Sequence, residues 1–306
     1  MKPSSFEYLA PRTVEQAVGH LVEFGDDAKV LAGGQSLVPL MNLRLAAPGV
    51  LIDANRVDGL SAIDALDGGL SIGALTRQGA LERSELARER VPLLAEALHY
   101  VGHPTIRHRG TIGGSLAHAD PAAELPAAML ALDATLVARG PGGDRQIGAE
   151  EFFTGFLTTA LAADELLTEV RVPGVPAGTG AAFVELSRRY GDFAICGAAV
   201  LVTLDAEGRC TRARVALCGV GPGPVRARAV EAAVEGERTD AKVLQEAAQR
   251  VVDSIDPPAD IHGSVAYRRK MAVVMTRRAL ALAAERATGV VADSDTATHE
   301  TGRNGR

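Results

Sequence analysis

The sequence predicts an α+β chain in two parts, and three observations carry that reading. Over the first 172 residues, short apolar runs of strand length alternate with stretches at helical spacing. A Pro- and Gly-rich segment, "PGVPAGTG" at 173–180, then reads as a linker. Beyond it, three strand-like segments come in a row and three helices follow, the pattern of a sheet covered by helices on one face. With 306 residues, the chain is long enough for two domains with buried cores.

Thr13-Val14-Glu15-Gln16 reads as a capping box, and Val14, Ala17, Val18, Leu21 and Val22 follow at helical spacing. That helix ends near Gly25; a strand from Ala28 to Leu31 runs into Gly33-Gly34. Ser36 stands where it caps a short helix, with Pro39 confined to its first turn. "GVLIDA" (49–54) is a second strand, so an opening unit ends near residue 58. "LSAIDALDGGLSIGAL" (60–75) reads as a hairpin around Asp67-Gly68-Gly69, with Thr76 placed to cap the next helix. "VPLLAEALHYVG" (91–102) is a helix with Pro at its start and Gly at its end. A second glycine pair, Gly113-Gly114, precedes a helix over about 121–131. "ATLVARGPGGDRQI" is another hairpin, and "DELLTEVRVP" (164–173) a strand. After the linker come the strands "AAFVELS", "AAVLVTLDAEG" and "TRARVALCGVG", then helices near 225–236, 239–253 and 264–287. The polar, aperiodic residues 289–306 read as a disordered tail.

Composition excludes several classes. Hydrophobic residues make up 47% and charged residues 23%, ordinary for a globular protein. The net charge is −6 with basic residues dispersed, which argues against nucleic-acid binding. Trp is absent and aromatics are 4%, so the core rests on Ala, Leu and Val. No apolar run approaches the roughly 20 residues of a membrane span. "MKPSSFEYLAPRT" has no signal-peptide core, so a cytoplasmic protein is expected. Cys196, Cys210 and Cys218 show no CxxC spacing; they fit buried thiols in a reducing compartment rather than a cluster or zinc site.

Two segments invite chemistry. In "AGGQS" two glycines follow a strand, where successive backbone N–H groups can form a concave anion site. Ser36 adds a hydroxyl and a helix start. "GTIGGS" (110–115) repeats the theme, with Thr111 and Ser115 flanking Gly113-Gly114. Neither loop has the P-loop lysine or the GxGxxG spacing. Two neutral, donor-rich loops suit a diphosphate that is held and not cleaved; a pair of plain turns fits the spacing equally well.

"KVLAGGQSLVPLMNLRL", "IRHRGTIGGSLAHADPAAELPAAMLAL" and "SRRYGDFAICGAAV" together resemble the FAD-binding medium subunit of molybdenum hydroxylases. That group includes the carbon monoxide dehydrogenase medium subunit and the flavin portion of xanthine dehydrogenase. The resemblance runs in order over about residues 3–288. It implies an FAD-binding half of vanillyl-alcohol-oxidase type over 1–175, in subdomains of about 1–58 and 59–175. A C-terminal flavoprotein domain of antiparallel sheet plus helix bundle would occupy 176–288.

The resemblance also implies a site. FAD would lie noncovalently between the two subdomains, its pyrophosphate gripped by Ala32, Gly33, Gly34, Gln35, Ser36 and Leu37 from one and Thr111, Gly113, Gly114 and Ser115 from the other. Gln35 replaces a His of some relatives and still donates. Glu124 matches an acidic residue on the FAD ribose side, although a helix-start carboxylate is its plain alternative. Asp192 and Phe193 match the segment facing the isoalloxazine; Phe193 lacks the hydroxyl of the Tyr found in many relatives. The implied role is electron transfer, with no catalytic side chain or metal site in this chain. A large molybdopterin subunit oxidises the substrate, a small subunit with two [2Fe–2S] clusters relays electrons to this FAD, and an external acceptor takes them. A dimer of heterotrimers is the implied assembly. No [4Fe–4S] cluster is expected, because the cysteine-bearing insertion of 4-hydroxybenzoyl-CoA reductase relatives is missing.

Other readings compete. A stand-alone flavin oxidoreductase of the same FAD fold, like the UDP-N-acetylmuramate reductase group, would act directly on a small substrate. A flavin-free assembly module is a third. His99, His103, His108 and His118 read as loop and surface residues rather than a metal site, because Gly102 and Pro104 break the helix that would align them. Arg107 and Arg109 suit a phosphate, a partner surface or a solvated loop. "YRRK" (267–270) reads as a solvated or partner-facing surface, and no GxSxG elbow supports a hydrolase.

Overall fold

The computed structural model describes residues 2–289, so all of the tail expected over 289–306 but Gly289 itself lies outside the described residues. Helices and strands are mixed throughout. A first, parallel sheet has the order β1-β3-β2, from β1 (Glu7–Leu9), β2 (Ala28–Leu31) and β3 (Val50–Asp53). Helix α1 (Val14–Phe24) closes its core by placing Ala17, Val18 and Leu21 among Val50, Ile52 and Ala54. Thr13 accepts from the Gln16 amide at 3.2 Å, while the Gln16 side chain reaches back to the Arg12 amide at 2.8 Å. This is a capping box displaced by one residue. Helix α2 (Leu37–Asn42) follows the first glycine loop and carries Pro39 in its first turn.

A second sheet has the order β4-β5-β10-β6-β7 and is antiparallel. Its strands are β4 (Ile63–Leu66), β5 (Gly69–Gly73), β6 (Thr135–Gly140), β7 (Gly143–Gly148) and β10 (Leu166–Val172). Asp67 and Gly68 both adopt positive φ, 44° and 81°, which is the turn that matches strand twist in a tight hairpin. A small ribbon of β8 (Phe153–Gly155) and β9 (Thr158–Thr159) precedes β10, and one turn of helix, α9 (Ala149–Phe152), follows β7.

Six helices fill the span between β5 and β6: α3 (Gln78–Arg83), α4 (Glu85–Arg90), α5 (Pro92–Tyr100), α6 (Pro104–Arg109), α7 (Ile112–His118) and α8 (Glu124–Ala131). Two expectations are corrected here. Thr76 does not cap α3; its hydroxyl donates to the Ala62 carbonyl at 3.2 Å, and extended Arg77 delays the helix to Gln78. The helix expected from 121 starts at Glu124, because Asp120 accepts from the Ala122 amide at 2.8 Å and holds a turn there.

The third sheet is antiparallel, with β11 (Thr179–Ser187), β12 (Ala194–Leu204), β13 (Cys210–Cys218) and β14 (Val225–Arg226) in sequence order. Helices α10 (Arg228–Val234), α11 (Ala241–Gln249) and α12 (Val265–Ala287) follow. The sheet is covered on both faces, not on one as expected. Ala182, Ala198, Val200 and Val215 pack toward α10, α11 and α12. Ala181, Phe183, Ala199 and Ala216 join the core of α5 and α8, which come from the first half of the chain. Every residue of β12 from Ala194 to Thr203 is buried, which an unbroken apolar run signals and one-sided alternation does not. "YRRK" is likewise not wholly surface: Arg268 is buried and donates to the Ile195 and Gly219 carbonyls at 2.6 and 2.9 Å and to Asp260 at 2.6 Å.

Charged groups tie the first half to the third sheet. Asp133, after α8, accepts from Arg212 and Arg214 at 2.9 Å each and from Arg226 at 2.8 Å. Arg286 of α12 pairs with Glu96 of α5 at 2.8 Å. Among the described residues no helix is long and apolar enough to cross a membrane.

Candidate functional site

The first glycine loop leaves the C-terminal end of β2. Gly34 has φ +72°, a conformation open to glycine at no steric cost. Gly33 is needed for a different reason: a Cβ on it would lie 2.6 Å from the Arg109 carbonyl oxygen and 2.7 Å from Gly110 Cα. Gln35 turns back on the loop, its Nε2 donating to the Gly33 carbonyl at 3.1 Å. Ser36 occupies the position before α2, yet its exposed hydroxyl makes no capping bond. The amides of Gly33, Gly34, Gln35, Ser36 and Leu37 donate to no acceptor among the described residues. Such a run of free N–H groups is a donor set suited to an anion.

The second loop differs from the first. Thr111 caps α7, accepting from the Gly114 amide at 3.0 Å. The Ile112 amide bonds Thr76 O at 3.0 Å, the Gly113 amide bonds Ala74 O at 2.8 Å, and the Ser115 amide bonds Thr111 O at 3.2 Å. A Cβ on Gly113 would meet Ala74 Cβ at 2.5 Å. Gly113 therefore serves close packing of α7 on the end of β5. The hydroxyls of Thr111 and Ser115 remain free to donate.

The two loops meet. Besides the Gly33–Gly110 contact, a Cβ on Gly114 would lie 3.5 Å from Ala32 Cβ. Asn55, after β3, donates to the Ala32 carbonyl at 2.9 Å. Arg77 donates to Asn55 Oδ1 at 2.6 Å and, through Nη1, to the Arg109 carbonyl. Sequence reading did not find Asn55 or Arg77, since no local pattern marks a side chain that bridges segments 32 residues apart.

Glu124 opens α8 and is buried, beside the α7–α8 turn. Burial pushes its carboxyl up to about 7; its own amide and the Arg107 charge oppose this, and Asp120 adds to it. Glu185 on β11 rises to about 9, through burial and then the Glu124 charge. Its Oε2 is buried and has no hydrogen-bond partner. A signal for Glu185 was present: alternation places it on the face of Ala181 and Phe183, an apolar face where a carboxyl is out of place.

Asp192 and Phe193 are at the surface, Phe193 71% exposed. The segment before them is anchored: the Tyr190 hydroxyl donates to His99 O at 3.0 Å, and Gly191 lies against the His103 ring. His103 immediately precedes α6, which ends at Gly110, so this segment is connected mechanically to the second loop. Arg107 takes no part in an anion site. It is buried, paired with Glu82 at 2.8 Å, and donates to the Val101 and Gly102 carbonyls at 3.0 Å each. Among the described residues, no three His, Cys, Asp or Glu side chains group as a metal site.

Comparison with known proteins agrees over nearly the whole length. The family model described as the FAD binding domain in molybdopterin dehydrogenase matches residues 4–175. That of the CO dehydrogenase flavoprotein C-terminal domain matches residues 181–283. The chain is 46% identical over 287 residues to the alpha subunit of the 6-hydroxypseudooxynicotine dehydrogenase complex of Paenarthrobacter nicotinovorans, covering 94% of this chain and 97% of that one. It is 39% identical to the carbon monoxide dehydrogenase medium chain of Hydrogenophaga pseudoflava, over 92% of this chain and 97% of the relative. The solved structure of carbon monoxide dehydrogenase from that organism, lacking the Mo-pyranopterin moiety, superposes with a TM-score of 0.91 at 42% identity, covering 94% of this chain and 99% of the other.

Proposed function

Because this chain belongs to the FAD-binding family of molybdopterin dehydrogenases, we propose that it is the FAD-carrying electron-transfer subunit of a molybdenum hydroxylase complex. It works beside a large molybdopterin subunit and a small [2Fe–2S] subunit, as part of a dehydrogenase whose organic chemistry takes place in the large subunit. Electrons arrive from the clusters and leave to an external acceptor. The relatives' description as subunits and medium chains of dehydrogenase complexes supports this division of labour. A cytoplasmic location fits three free, buried thiols.

The observation that carries the reading is the junction of the two glycine loops. The amides from Gly33 to Leu37 are free of protein acceptors, and the loop that carries them packs against the loop that carries the Thr111 and Ser115 hydroxyls. This donor set fits a dinucleotide's diphosphate. When bound, the flavin supplies the redox chemistry. The first loop holds the diphosphate by backbone donors, and the second adds hydroxyl donors. Glu124 accepts from the ribose side, and Asp192 and Phe193 flank the ring. Neither loop offers a His or Cys as a covalent tether, so retention is noncovalent.

We assign residues 1–175 to FAD binding, with subdomains of about 1–58 and 59–175 of vanillyl-alcohol-oxidase type, and residues 176–288 to the C-terminal flavoprotein domain. Separate sheets in each span and the two family matches support this division. The test is the complex isolated with its neighbouring subunits: its substrate bleaches the flavin in the complex and not in the isolated chain. An isolated chain that oxidised the substrate at the complex's rate would overturn the proposal.

A further inference from the structure

The Arg77 guanidinium sits at the loop junction with a protein partner on each side. On one side it bonds Asn55, which holds the Ala32 carbonyl of the first loop; on the other it bonds the Arg109 carbonyl, next to the glycine that Gly33 packs against. These bonds use two of its five N–H donors and leave three. Both protein partners are neutral oxygens. Among the described residues, no carboxylate lies within 4 Å of Arg77, whereas the buried guanidiniums of Arg107, Arg226 and Arg268 each pair with one. Burial, and next the positive charge of Arg109, make its cationic form less favourable than usual, and the Asp53 charge offsets this only in part. The nearest balancing charge, Asp53, is one residue removed, held on the far side of Asn55. A half-buried cation with no directly paired carboxylate, beside another cation and a run of free amides, leaves positive charge at the seam of the two loops.

We propose that Arg77 is a positioning residue of the cofactor site with two roles: it fixes the two glycine loops against each other, and it supplies the counter-charge for the diphosphate they hold. The inference rests on the FAD reading above. A guanidinium suits this place because its rigid fork can serve carbonyl, amide and phosphate oxygens in one plane, which an ammonium cannot do. Asn55 serves only the first role, since it is neutral and links Arg77 to the Ala32 carbonyl. The two residues therefore separate geometry from charge.

The experiment is FAD affinity of the full chain over a salt series, by flavin fluorescence, for the native sequence, Arg77→Met, Arg77→Lys and Asn55→Ala, with thermal melts of the apo forms as a folding control. Arg77→Met is expected to bind FAD at least about tenfold more weakly at low salt, the loss of one charge-assisted hydrogen bond, and to show a shallower salt dependence. Arg77→Lys and Asn55→Ala are expected to lose affinity while keeping the native salt dependence. If Arg77→Met folds poorly, Arg77→Gln takes its place as the neutral variant, with the same expected loss of affinity and the same shallower salt dependence. Undiminished affinity in Arg77→Met, or its full loss in Arg77→Lys to the Met level, overturns the proposal. So does a native salt slope in Arg77→Met, because a loop staple alone would lower affinity without changing that slope. A native chain that bound no FAD would instead defeat the FAD reading itself.

Discussion

Gly33 packs its Cα directly against the carbonyl of Arg109, so closely that a methyl group there would lie 2.6 Å from the oxygen. Arg109 belongs to the segment that leads into the second loop, so this one contact joins the two halves of the candidate cofactor site. Gly33→Val is therefore expected to separate the loops and abolish FAD binding. The smaller Gly33→Ala should weaken it by about tenfold or more, ~1.4 kcal/mol. The control is Gly19→Ala in α1, where a Cβ meets nothing within 4 Å. It should leave FAD affinity unchanged and stabilise the fold by roughly 0.5–1 kcal/mol. Equilibrium titration with FAD and a denaturant melt check both.

Gly114→Val tests the other side. Its first added carbon would meet Thr111 Oγ1 at 2.7 Å, displacing the hydroxyl that caps α7. Loss of the cap costs about 1 kcal/mol, and FAD affinity should fall with it. FAD titration at native affinity in both Gly33→Val and Gly114→Val would show that the cofactor does not lie between these loops.

The buried carboxyls give stability a specific pH dependence. Glu124 and Glu185 titrate at about 7 and about 9 in the folded chain, above their ordinary 4.5. Between those limits the folded state holds protons that the unfolded state has released. Their contribution is therefore greatest at or below pH 4.5 and declines as pH rises toward 9. Thermal midpoints of Glu185→Gln should fall less steeply from pH 7 to 9 than those of the native chain; parallel curves would refute the assignment.

Asp133 behaves in the opposite sense. Burial alone would raise its carboxyl, but hydrogen bonds from Arg226 and Arg214 outweigh this and hold it below the usual range. Its stabilisation is present above the ordinary carboxylate pKa and is lost as pH falls through the lowered value. Asp133→Asn should cost about 1–3 kcal/mol at neutral pH, the scale of hydrogen bonds to charged groups, measured by urea denaturation.

Burial raises the thiols of Cys196 to about 12 and Cys210 to about 11, and carries Cys218 well above its ordinary value. A thiol reagent should find none of them in the native chain at pH 8 and all of them after denaturation. Rapid native labelling would contradict this burial.

Much of this architecture was legible because it is local. The strand Ala28–Leu31, the hairpin at Asp67-Gly68 and the helix at 265–287 follow from periodicity and turn chemistry. What the sequence does not signal depends on distant partners. The Ile112 and Gly113 amides bond Thr76 and Ala74, a difference from the first loop that the repeated glycine pair hides. Arg107 looks like a phosphate ligand until the carbonyls at the end of α5 are folded onto it, and Arg268 looks solvated until Ile195 and Gly219 surround it. Arg77 carries no motif; its meaning comes from Asn55 and Arg109 converging on it.

Noncovalent FAD binding is tested most directly by the flavin content of the purified full chain, followed by acid precipitation. One FAD per chain is expected, released wholly into the supernatant. A chain that held no FAD after reconstitution, or flavin that stayed with the precipitate, would contradict it.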